Sequence, residues 1–93
     1  MHQIGEGQDV VWVAALTEAP NASTIRFLLV QILPDGREFE HWREDVPLAD
    51  RGAQRLEGSA TLSIYLHSGE GSYRMRYMRG DTLLAEGAFE FVP

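Results

Sequence analysis

Apolar residues recur at every second position along most of the chain, in short runs cut by Gly, Pro, Asn and Asp. That period sends alternate side chains to opposite faces of a strand, whereas a helix repeats every three to four residues. A chain patterned this way can cover its apolar faces by laying one sheet on another or by closing a sheet on itself. Its 93 residues suffice for one such domain, residues 1–93, and not for two.

Val10 to Thr17 is rich in β-branched residues and reads as the first strand. It ends in the turn-type cluster Glu18 to Ser23. Thr24 to Leu33 is apolar on both faces after Arg26, which predicts a central, covered strand. Pro34-Asp35-Gly36 marks a tight turn, and Arg37 to Arg43 alternates as a third strand. Residues 44–58 carry the weakest pattern. Within them Asp45 to Leu48 reads as a short edge strand, where Pro is tolerated, and Ala49 to Arg55 as one helical turn.

Ser59 to His67 alternates again, with Ala60, Leu62, Ile64 and Leu66 on one face. Ser72 to Arg79 puts Tyr73, Met75 and Tyr77 on one face and Arg74, Arg76 and Met78 on the other. Gly80-Asp81 suits a two-residue hairpin loop with Gly first, and Thr82 to Val92 returns as the last strand, with Gly87 read as a bulge or bend. Residues 1–9 read as a loose lead-in. The sum is an all-β, antiparallel two-sheet sandwich of six to seven strands.

The segment Gly69 to Met75 resembles the tyrosine corner of immunoglobulin-like and fibronectin type III-like sandwiches. Tyr73 falls on the corner Tyr and Met75 on the Cys position of strand F. The resemblance implies that the Tyr73 hydroxyl bonds back to nearby backbone. Ala60 to Leu66 is similar to strand E, and Arg76 to Val92 resembles the F–G hairpin. The first half matches only in strand count. The chain departs from the pattern in having no Cys pair. It also departs at Pro34-Asp35-Gly36, which suits a hairpin within one sheet rather than a B–C crossing between sheets and leaves a different strand order open.

Composition narrows function. The net charge of −6 argues against nucleic acid and against an anionic membrane as partners. All eight basic residues are Arg. Without Cys there is no disulfide, thiolate metal site or Cys nucleophile. No apolar run approaches the roughly 20 residues that span a bilayer, and no signal-peptide pattern opens the chain, so a cytoplasmic protein is expected. His2, His41 and His67 are scattered, and no HExxH, nucleophile elbow or phosphate-cradling loop is present. The expectation is therefore a protein without catalytic residues, metal or cofactor.

The candidate partner-binding residues are Trp42, Arg74, Arg76 and Met78. If the strand bearing the arginines pairs with the third strand and the last, its outer face lies beside Glu38, Glu40, Trp42 and Glu90. Opposite charges across strands explain such a stripe without any ligand. Trp, Met and Arg together are also the composition enriched at protein interfaces. Trp12 shares a face with Val10, Ala14 and Leu16 and reads as core. Arg79-Gly80-Asp81 is an RGD tripeptide at a hairpin tip, where Gly-Asp is also good turn chemistry.

These readings point to a protein-interaction module that uses the sheet face, loop 44–58 or an edge strand, with a homodimer as one form of edge pairing. A small phage-encoded inhibitor of a host defence protein is a second reading. A carbohydrate- or small-ligand-binding sandwich, resting on Trp42, Tyr65 and Tyr77, is a third.

Overall fold

A computed structural model describes residues 2–5, 9–61 and 71–92. Seven strands form among them: β1 (His2–Gly5), β2 (Asp9–Ala15), β3 (Thr24–Ile32), β4 (Glu38–Pro47), β5 (Arg55–Thr61), β6 (Gly71–Arg79) and β7 (Thr82–Val92). They make a five-stranded sheet in the order β1-β7-β6-β3-β4 and a two-stranded sheet of β2 with β5. All pairings are antiparallel except β1 with β7, which is parallel.

The two tight turns join neighbours in the larger sheet. At Pro34-Asp35-Gly36 the Gly36 amide donates to the Leu33 carbonyl at 2.9 Å, and the Leu33 amide donates to the Arg37 carbonyl at 2.8 Å. Gly36 takes a φ of 88°, a conformation costly for any residue with a Cβ. This turn therefore closes a same-sheet hairpin, β3 to β4. The crossing between sheets falls earlier, in residues 16–23 between β2 and β3. The immunoglobulin-like order is thereby kept, with Pro34 to Gly36 one connection later than the B–C position. At Gly80-Asp81, Arg79 pairs directly with Thr82 and Gly80 has a φ of 56°, a two-residue loop with Gly first.

Several expectations change. The stretch read as a lead-in contains β1, whose residues His2 to Gly5 run beside Phe89 to Val92. The weak region 44–58 is mostly strand: β4 continues to Pro47, at the sheet edge, and β5 begins at Arg55. Between them residues 49–54 form a turn rather than a helical segment. Asp50 holds it, its Oδ1 accepting from the Gly52 amide at 2.8 Å and its carbonyl from the Ala53 amide at 3.2 Å. Gly87 lies in regular register opposite Met75, and the bulge of β7 comes earlier, at Leu84, between the pairs Tyr77–Ala85 and Met78–Leu83. Most of the strand expected over Ser59 to His67 and the corner before Gly71 lie outside the described residues.

The core is built from inward residues of both sheets. Leu16, Ile25, Phe27, Leu29, Tyr73, Tyr77, Leu84, Phe89 and Phe91 are buried, with Val10, Trp12, Ala14 and Trp42 packed against them. Phe27 stands at the centre. Trp12 stacks on it at 5.4 Å, and Trp42 and Tyr77 meet it edge-on at 5.1 and 5.2 Å. Tyr73 is fully buried and stacks on Phe89 at 5.4 Å. The sheets are also joined by backbone: the Thr17 amide donates to the carbonyl of bulged Leu84 at 2.8 Å.

Candidate interaction site

The outer face of the larger sheet holds Arg74, Arg76 and Met78, as their alternation requires. Arg76 forks onto both oxygens of Glu38, at 2.8 and 2.7 Å, while its Nε donates to Glu86. Arg74 reaches Glu86 at 3.4 Å. The Arg76 hydrogen bonds hold the Glu38 carboxyl below the usual carboxylate range, against a smaller opposing effect of burial, and Glu38 in turn raises the Arg76 guanidinium. Val30 lies on this face between Arg74 and Glu40 in register and is only 4% exposed, shielded by long side chains. The face is a satisfied charge ladder over a small apolar floor.

Trp42 does not belong to it. A bulge between Leu29 and Val30 leaves His41 as the extra residue of β4, so Glu40 pairs with Val30 and Trp42 with Leu29. Their partners are consecutive, so Glu40 and Trp42 take opposite faces. Trp42 turns inward onto Phe27. Unbroken alternation through Glu38, Glu40 and Trp42 would place it on the outer face, and the extra residue His41 reverses that phase. Tyr77 is buried as well, so two of the three aromatics that suggested a sugar platform are core. The third, Tyr65, lies outside the described residues.

The RGD tripeptide has a structural use. Arg79 donates to the Pro20 carbonyl at 2.9 Å and to Glu18, tying the hairpin to the connection between β2 and β3.

A different surface stands out at β2. Along this strand Val10, Trp12 and Ala14 face the core, while Val11 and Val13 face outward and are 74% and 54% exposed. The Leu16 amide donates to the Gln54 carbonyl, on the side of β5, whereas the Thr17 amide points the other way, to Leu84. Successive residues of a strand direct their backbone groups to alternate sides. Counting back from Thr17, the groups of Ala15, Val13 and Val11 face away from β5. No described strand pairs with that edge. It opens on a cleft of about 640 Å³ lined by Val10 to Ala15 above and by Met75, Tyr77 and Ala85 to Phe89 below.

The sequence held a signal for this edge. Val10-Val11-Trp12-Val13 is apolar on both faces, which a strand covered on one side alone does not require. Among the described residues no group of three or more His, Cys, Asp or Glu is placed to hold a metal ion.

The architecture is that of an immunoglobulin-like β-sandwich. The chain is similar in structure to an immunoglobulin-like protein of Pseudomonas aeruginosa, with a TM-score of 0.56 and 20% sequence identity over 99% of this chain and 79% of that one. No protein-family model matches the chain, and no curated protein matches it in sequence.

Proposed function

We propose that this domain is a non-catalytic protein-interaction module that engages a protein partner through the open edge of β2. The observation that carries the reading is an edge that no described strand pairs, flanked by exposed Val11 and Val13, with no charge from Val10 to Ala15. Sheet edges left open are normally blunted by Lys, Pro or a bulge, because they template pairing with other chains. β2 has none of these. The outer sheet face offers less, since Arg74 and Arg76 already have intramolecular partners.

The test is the pair Val11→Arg with Val13→Arg, compared with Arg74→Glu on the ladder. A partner identified by cross-linking in cells is purified and titrated against each. The valine pair should weaken binding at least tenfold with the melting temperature retained, and Arg74→Glu should leave it within about twofold. Equal binding by the valine pair and the parent defeats the reading.

A further inference from the structure

We propose that the cleft beside β2 receives a single extended peptide segment, which adds as a strand to the β2 edge and buries alternate apolar side chains over Ala85 and Gly87. This rests on the reading of β2 as the interaction edge and names what the edge accepts.

Three observations fix the occupant. The first is the offset between the sheets. Trp12 of β2 stacks over Phe27 of β3 and donates to the Tyr77 hydroxyl of β6 at 3.0 Å. The smaller sheet thus sits over β3 and β6, and the larger sheet runs on past it by β7 and β1. The space beside β2 has a floor but, among the described residues, no roof strand. A second copy of the domain cannot bring its own β2 there, because the larger sheet beneath that strand would collide with β7 and β1. A lone extended segment carries no such sheet.

The second observation is Gly87. It sits in the middle of β7 in regular register, on the inward face with Ala85 and Phe89. It has no positive φ, and a Cβ built on it meets nothing within 4 Å. Among the described residues neither a turn nor a close approach explains a glycine here. With Ala85 one pleat away, it leaves a floor of small residues under a cleft far larger than the voids of a packed interior.

The third is charge. The lining has one residue charged at neutral pH, Glu86, whose carboxylate is bound to Arg76 and Arg74. The middle of the segment is therefore uncharged. The chain as a whole carries −6, so basic residues flank it. Along Val10 to Ala15 it spans about six residues, roughly 20 Å.

The test uses a fluorescein-labelled, end-capped peptide of nine residues, alternating valine and threonine with a lysine at each end, and a shuffled peptide of the same composition. Saturable polarisation binding is expected for the alternating peptide, at least tenfold tighter than for the shuffled one. A Cβ at Gly87 has open space, so Gly87→Leu projects a side chain into the cleft and should abolish binding with the melting temperature retained. Val13→Pro removes an outward amide and spares the ladder to β5, and should weaken binding at least tenfold. Absence of saturable binding to the parent, or binding to Gly87→Leu equal to the parent, overturns the proposal. The natural partner separates the two readings. If it tolerates Gly87→Leu but not Val11→Arg with Val13→Arg, insertion falls and the edge reading stands. If it tolerates both, both fall.

Discussion

Trp12 stands where the two sheets meet, and three neighbours define its place: Phe27 under its ring, Tyr77 at its Nε1 and Gly58 across the β2–β5 ladder. The indole lies over Gly58 so closely that a Cβ there would come within 2.4 Å of the ring. Gly58→Ala must displace the indole and should cost about 1–3 kcal/mol, read from urea unfolding. Trp12→Phe keeps the stack and loses the hydrogen bond, for about 1 kcal/mol. Tyr73 and Tyr77 carry a pH consequence. Burial raises both phenols, only partly offset at Tyr77 by the Trp12 bond. Their contribution to stability is whole below the ordinary tyrosine range. It is lost as pH rises from there toward the raised folded values, because the unfolded chain ionises first. Tyr73 and Tyr77 should therefore resist spectrophotometric titration until the protein unfolds. If both titrate over the ordinary tyrosine range in the folded protein, this account of the core fails.

At the scale of elements, the alternating pattern was legible wherever a strand kept its phase. It gave the inward set Tyr73, Met75, Tyr77 and the outward set Arg74, Arg76, Met78 correctly, because β6 runs without a break in phase. It failed where an extra residue reversed the phase. His41 in β4 sent Trp42 to the core, and nothing in Glu38 to Arg43 announces that insertion. Leu84 does the same in β7, since the Leu83-Leu84 pair offers two equal candidates for the core. The structure separates them: Leu84 is fully buried and Leu83 is 44% exposed. Leu84→Ala should cost about 2–5 kcal/mol, and Leu83→Ala within about 0.5 kcal/mol. Equal costs would place the bulge elsewhere. The ladder behaves differently again. Arg76 lowers Glu38, so this pair adds stability above the usual carboxylate range and loses it as pH falls through the depressed value. Glu38 is 48% exposed, which keeps the gain below about 1 kcal/mol. Glu38→Gln should flatten the acid limb of the stability curve and leave the alkaline limb unchanged.

At the scale of the whole molecule, the sandwich was legible from strand count, turn chemistry and the residues around Tyr73, while the offset of its sheets was not. Alternation tells which face of a strand is inward. It does not tell how many strands lie over how many, and the cleft follows from two over five. Its sequence trace is Gly87, which reads as a bulge or bend until the register puts the bulge at Leu84 and leaves Gly87 in regular pairing. The same offset makes the two sides of β2 unequal, and amide exchange can read that directly. Trp12 and Ala14 pair with Gly58 and Leu56 on the side that the Leu16 amide shares, so their amides are locked to β5. The amides of Val11 and Val13 face the open edge. Exchange along β2 should therefore alternate, with Trp12 and Ala14 protected and Val11 and Val13 close to unprotected rates. The Thr17 amide, bound to Leu84, should be protected again and mark where the cleft ends. Adding the alternating peptide should protect Val11 and Val13 and change Trp12 and Ala14 little. Uniform protection along β2 in the free protein would mean that its edge is already covered, and the interaction site would have to be sought elsewhere.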